Sequence, residues 1–315
     1  MIIQHCYYDR NDFDSYVFSI VSFVFLGITA IISLLGTIYL IYLIKKYKKM
    51  RLSTNYLFLN LFISDTLNVL IPATLRFSGA FCYNYHFVDC QMIVSLNKIF
   101  GYVSILTLFY ICMDRYIKLL YYFHYQRYYT VTRLKILLAI TWIFSFIIGF
   151  TADINWGKLI YGPNDQLYSL CRYNDVLSPL YGTINEIVAI ILPMFIIFII
   201  YIVLYVKLQK KAKRRRLALY GTGQPSTDVS LNKSVDSMLL LSSVSVCIIY
   251  IICVVPICII DIIVNSDSMI NVVNEVYIPL HLVRVLVSMA TIYPAIEISF
   301  FLIINRKYWQ KFSTN

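Results

Sequence analysis

The chain has 315 residues, of which 60% are hydrophobic and 14% charged, with a mean hydropathy of +0.72 and a formal net charge of +11. That apolar content excludes a soluble protein of ordinary composition. A net positive charge suits a polyanion such as nucleic acid when it covers a globular surface, but here 20 of the 27 Lys and Arg fall in four clusters beside apolar runs, the pattern of cytoplasmic loops in a membrane protein.

The N-terminus, MIIQHCYYDRNDFD, is polar and lacks the charged n-region and short apolar core of a cleavable signal. The first helix is therefore expected to direct its own insertion, with the N-terminus outside and the chain multi-pass in the plasma membrane. Apolar runs follow at 17–44, 54–81, 90–120, 134–153, 180–209, 237–264 and 275–304. Each is long enough to cross a hydrocarbon layer of about 30 Å as a helix. Their continuous hydrophobicity argues against barrel strands, which alternate in runs of about ten. An odd helix count with no internal repeat argues against an inverted-repeat transporter. The expected fold is an all-α membrane protein, a seven-transmembrane helix bundle over 17–304, preceded by an extracellular segment 1–16. A third cytoplasmic loop falls at about 210–236, and 305–315 reads as a short amphipathic juxtamembrane helix and tail, with Trp309 and Phe312 turned to lipid. The four histidines, His5, His86, His124 and His281, have no metal-ligand spacing. No catalytic constellation is present either, so no enzyme activity, metal or cofactor is expected, and no nucleic-acid partner.

The third run joins Cys90 at one end to Asp114-Arg115-Tyr116 at the other. The 25 steps from Cys90 to Arg115 rise roughly 37 Å in a helix, so the two ends lie on opposite sides of a bilayer. A cysteine and a DRY triplet at this separation resemble the third helix of a rhodopsin-like (class A) G-protein-coupled receptor. The similarity runs along the chain. LNLFISDTL, with Asp65 and then Pro72, is similar to the family's second helix; Trp142 is the tryptophan of the fourth; Pro193 and Tyr201 stand eight apart in the fifth. Cys253-Val254-Val255-Pro256 resembles CWxP, and Tyr293-Pro294-Ala295-Ile296-Glu297 resembles NPxxY.

The resemblance implies a disulfide between Cys90 and Cys171, kinks at Pro72, Pro193, Pro256 and Pro294, and a heterotrimeric G protein as cytoplasmic partner. It implies a resting contact from Arg115 to Asp114 or Asp236, broken on activation so that Tyr201 becomes a new partner. Asp236 reads equally as a helix-start acid favoured by the dipole. Asp65 and Ser104 match positions that help hold sodium in the family, yet Tyr293 and Met289 replace other usual partners. A sodium ion, a proton and a tyrosine hydrogen bond on Asp65 all stay open. Cys6 and Cys82 read either as a second bond or as separate thiols. Val254 replaces the toggle tryptophan and Glu297 the inward-packing tyrosine. Those departures point to ligand-independent signalling or, if Glu297 captures Arg115, to a locked receptor or ligand sink.

Lys98, Glu186, Asp261 and Arg284 are charges at membrane depth, expected to face the bundle interior as a polar ligand site, as internal ion pairs, or as both. Asn97 stands where amine receptors keep an aspartate and Val287 where opsins keep the retinal lysine, which speaks against amine and light sensing. Tyr7, Tyr8 and Tyr16 lie among Asp9, Asp12 and Asp14, an acidic tyrosine-rich tail suited to a basic chemokine or peptide, with a plain solvated tail as the alternative. Parts of the second and third helices resemble nucleotide receptors of the purinergic branch, so a nucleotide ligand is the alternative. The Tyr- and Ile-rich composition and eroded motifs also resemble receptors captured by large DNA viruses.

Overall fold

In the computed structural model, the residues described are 13–47, 52–75, 87–121, 125, 130–155, 179–222, 227–270 and 280–313. They form seven helices long and apolar enough to cross a membrane. Helix α1 spans Phe13–Lys46. Helix α2 spans Ser53–Asn68 and continues as a π-helical turn, Val69–Ala73. Helix α3 is Phe87–Leu120 and α4 is Val131–Asn155. Helix α5 begins as Pro179–Glu186, passes through a π-helical turn at Ile187–Ile191 and runs on as Leu192–Thr222. Helix α6 is Thr227–Cys253, breaks at Val254 and resumes over Val255–Ile270. Helix α7 is Leu280–Ser313.

Proline accounts for the irregular turns. Pro72 has no N–H for the carbonyl four residues back, and it sits inside the π turn of α2. The Thr74 hydroxyl folds back onto the carbonyls of Leu70 and Ile71, the latter at 3.1 Å, within the same turn. Pro193 stands one residue past the π turn of α5, after Leu192. Pro256 leaves the carbonyl of Ile252 without its usual donor, which opens α6 at Val254. There the Cys258 N–H reaches the Val254 carbonyl at a stretched 3.3 Å.

The segment read as a cytoplasmic loop at 210–236 is largely helix: α5 runs to Thr222 and α6 starts at Thr227. KLQKKAKRRRLAL consists of strong helix formers, and nothing in it stops α5 at the lipid edge. Residues 305–313 are helical and continue α7 without a non-helical residue between.

Helix α3 is the central element, with Val94, Ile99, Val103, Leu108 and Ile111 fully buried. By contrast α4 leaves one stripe outward, Ile136, Ile140, Ile143 and Ile147, at 56 to 61% exposure. That 3.6-residue period marks a lipid-facing surface. Since hydrocarbon competes equally for apolar side chains, the helices are held by close packing and interhelical hydrogen bonds. Gly149 of α4 allows one such approach: a Cβ there would stand 2.3 Å from Ile99 Cγ1 on α3. Gly36 of α1 does the same against Ile298 of α7, at 2.9 Å. Asn60 of α2 ties three helices, donating to Thr107 Oγ1 on α3 at 2.8 Å and accepting from Trp142 Nε1 on α4 at 3.0 Å. Phe58 and Phe62 of α2 pack on Phe301 of α7, with ring centroids 4.4 and 5.2 Å apart.

Candidate functional site

Three polar sites lie in succession along α3. Nearest Cys90 is a cavity of about 170 Å³, walled by α2, α3, α5, α6 and α7. The π turn of α2 supplies Val69, Pro72 and Ala73 to its wall, and Glu186 lines it at the point where α5 enters its own π turn. Such wide turns rotate the side chains beyond them relative to an α-helix. Lys98, Glu186 and Asp261 all line the cavity, so three of the four charges expected there are brought together. The Lys98 ammonium sits 4.6 Å from the centre of the Tyr181 ring. Glu186 is in electrostatic contact with Asp261 and Lys98 and within hydrogen-bonding reach of the Cys258 thiol. Tyr102 donates to Asn185 across the α3–α5 seam. Val254 borders the same cavity, where a larger residue would occupy part of it. The Arg284 side chain lies outside the described residues.

Two turns further along α3, Ser104 donates to Asp65 Oδ1 at 2.6 Å, and Tyr293 of α7 donates to the same oxygen at 2.6 Å. The tyrosine hydrogen bond is therefore the observed partner of Asp65 at the position before Pro294. Tyr293 stacks edge-on against Tyr250 of α6, with centroids 5.6 Å apart. Glu297, one turn beyond Tyr293, is fully buried beside Asp65, and neither of its carboxyl oxygens has a hydrogen-bond partner. This carboxyl pair was not foreseen, though the register carried the signal. Tyr293 and Glu297 are four apart on one helical face, so whichever residue receives one receives the other.

At the far end of α3, Arg115 and Asp114 are buried, at 1% and 0% exposure, with Arg115 Nη2 3.6 Å from Asp114 Oδ2. Asp114 accepts from Thr54 of α2 at 2.8 Å and from Tyr125 at 2.7 Å. Burial, and then the Asp114 carboxylate, push the Tyr125 phenol above its ordinary range, so it stays a donor at physiological pH. Tyr125 was missed because the sequence around it carries several tyrosines with nothing to distinguish them. Tyr116 points elsewhere, accepting from Lys207 of α5 at 3.2 Å. The Tyr201 hydroxyl is 3.8 Å from the Cys247 sulfur of α6. Among the described residues Arg115 pairs with Asp114, while Glu297 lies near Asp65. The Asp236 side chain lies outside the described residues, as do Cys171, Cys6, Cys82, Tyr7, Tyr8 and Tyr16. Cys90 is buried and is not one of the free thiols, which are Cys112, Cys247, Cys253 and Cys258 among the described residues.

Seven membrane-crossing helices enclosing a polar cavity toward one end, with a buried arginine–aspartate pair at the other, define a multi-pass membrane protein of the receptor type. Residues 36–293 match the family described as 7 transmembrane receptor (rhodopsin family), and the chain belongs to it. Among curated proteins it is similar to adenosine receptor A3 of Ovis aries, 26% identical over 159 residues, covering 50% of this chain and 49% of that one. It is also similar to probable G-protein coupled receptor 101 of Mus musculus, 27% identical over 221 residues, covering 69% of this chain and 41% of that one. Adenosine receptor A2a of Cavia porcellus is 26% identical over 198 residues, 59% of this chain and 48% of its own. The chain thus spans about half the length of the curated relatives it matches.

Proposed function

We propose that the chain is a plasma-membrane receptor, N-terminus outside, that binds an extracellular ligand in the α3–α5–α6–α7 cavity and activates a heterotrimeric G protein. It does so without cofactor or catalysis of its own. The observation that carries this reading is the buried Arg115–Asp114 pair, held by Thr54 and Tyr125 at the opposite end of α3 from the cavity. An arginine closed off at the lipid edge is costly in place and is available once α6 moves aside. The break at Val254 supplies the hinge, and the cationic KLQKKAKRRRL extension of α5 supplies contact surface. Opening would free Arg115 from Asp114, and Tyr201, now beside Cys247, is the side chain proposed to meet it. Asp236 is proposed as a second acid of the closed state.

A chemokine or peptide is the favoured ligand, on the acidic tail with Tyr7 and Tyr8. A nucleoside- or nucleotide-type ligand is the second reading, supported by the similarity to adenosine receptors. Cys90 and Cys171 are proposed to form the disulfide that ties the second outer loop to α3. G-protein activation measured in cells tests the whole: Arg115→Ala should abolish it while surface expression and ligand binding stay largely intact. Equal signalling by variant and parent would show that coupling does not pass through Arg115.

A further inference from the structure

The cavity has a chemical bias of its own. Of the charged side chains described around it, two are carboxylates, Glu186 and Asp261, and one is an ammonium, Lys98, which lies over the Tyr181 ring. Glu186 is 7% exposed, and its Oε2 is buried without a hydrogen-bond partner, although its charged neighbours include both a second acid, Asp261, and the Lys98 ammonium. Ionising a buried carboxyl beside a second acid is costly, and a cation that reaches both offsets the desolvation and the repulsion together. The void is also sized for a small group. About 170 Å³ compares with the ~150 Å³ that admits a benzene ring. It takes the tail of a ligand with about six heavy atoms, not a whole peptide.

We infer that this cavity takes a cationic group, a primary ammonium or a guanidinium, at the end of an extracellular ligand, seated against Glu186 of α5 and Asp261 of α6. The inference rests on the receptor reading and specifies its ligand. It also revises what the lack of an α3 aspartate means. Asn97 removes one docking position for an amine, yet the acids arrive from α5 and α6 instead, and the π turn of α5 begins immediately after Glu186. A phosphate-bearing nucleotide would meet both carboxylates and is disfavoured.

Cys258, which lines the cavity beside Glu186, is a native reporter. Intact receptor in membranes is treated from outside with cationic 2-aminoethyl methanethiosulfonate or anionic 2-sulfonatoethyl methanethiosulfonate. Each rate is normalised to that with a free thiol in solution, and Cys258→Ala defines the background. The cation should modify Cys258 faster by on the order of tenfold, as in a cleft whose described charges are predominantly negative. Glu186→Gln and Asp261→Asn should each reduce that preference, so either variant suffices if the other fails to reach the surface. Protection of Cys258 by agmatine marks a small amine as the source. Protection by a tetrapeptide with a free N-terminus, but not by agmatine or by the N-acetylated peptide, marks a peptide. Equal normalised rates, an unchanged preference in both variants, or protection by neither probe would overturn the inference. Because labelling involves no G protein, its failure leaves the coupling reading standing, and a silent Arg115→Ala comparison leaves the labelling result standing.

Discussion

Tyr125→Phe removes a single oxygen and tests whether the closed end of α3 is a latch. Its hydroxyl donates to Asp114 Oδ1 at 2.7 Å, while Oδ2 is held by Thr54 at 2.8 Å and lies 3.6 Å from Arg115 Nη2. A hydrogen bond to a charged group contributes about 1.5–3 kcal/mol net. The loss falls on the closed state, in which Asp114 is fully buried and no water replaces the missing donor. In the open state the crevice admits water to the same carboxylate. If about 1.4 kcal/mol of this, just below the low end, is differential, the active fraction rises roughly tenfold while it is small. The assay is ligand-independent nucleotide exchange on a G protein, measured at matched surface expression for parent, Tyr125→Phe and Tyr125→Phe with Arg115→Ala. The single variant should raise basal exchange and the double variant should abolish it. Since the phenol is held above its ordinary range, the effect should not change between pH 6.5 and 8. Basal exchange unchanged or lowered in Tyr125→Phe would refute the latch.

The remaining predictions follow from other contacts. Cys90→Ser and Cys171→Ser should each reduce surface delivery or ligand binding, and the double variant should be no worse than either, because one bond is lost in all three; additive losses would show independent roles. Val254→Trp should lower expression-scaled basal signalling, since an indole at the α6 break fills part of the cavity and stiffens the resting arrangement. Signal indistinguishable from empty-vector cells in the parent at high surface expression would instead favour a locked receptor or a ligand sink. Gly149→Ala should cost on the order of 1–3 kcal/mol as overpacking, seen as a lower Tm of the detergent-solubilised protein. The reason is that its Cβ would stand 2.3 Å from buried Ile99 Cγ1; Ile99→Ala in the same chain should restore part of the loss.

How much of this was legible in the chain itself depends on the range of the interaction. Seven apolar runs, the clustered cations and the prolines are local quantities, so the helix count and the irregular turns at Pro72, Pro193 and Pro256 could be read directly. The ends of α5 and α6 could not, because charge alone does not end a helix and the helix propensity of this stretch carries α5 to Thr222 and begins α6 at Thr227. Asp65, Ser104 and Tyr293 were each singled out separately, but which atoms meet was decided by the packing of α2, α3 and α7. The closeness of Glu297 to Asp65 arises the same way, from positions 232 residues apart brought to one layer of the bundle. Glu186 beside Asp261 and Cys258 likewise exists only once helices are placed side by side, and Tyr125 meets Asp114 only once the chain turns back past the end of α3. Hydrophobicity and periodicity specify that a face is buried; which polar groups share that burial is set by helix order, depth and rotation, and those are properties of the assembled bundle.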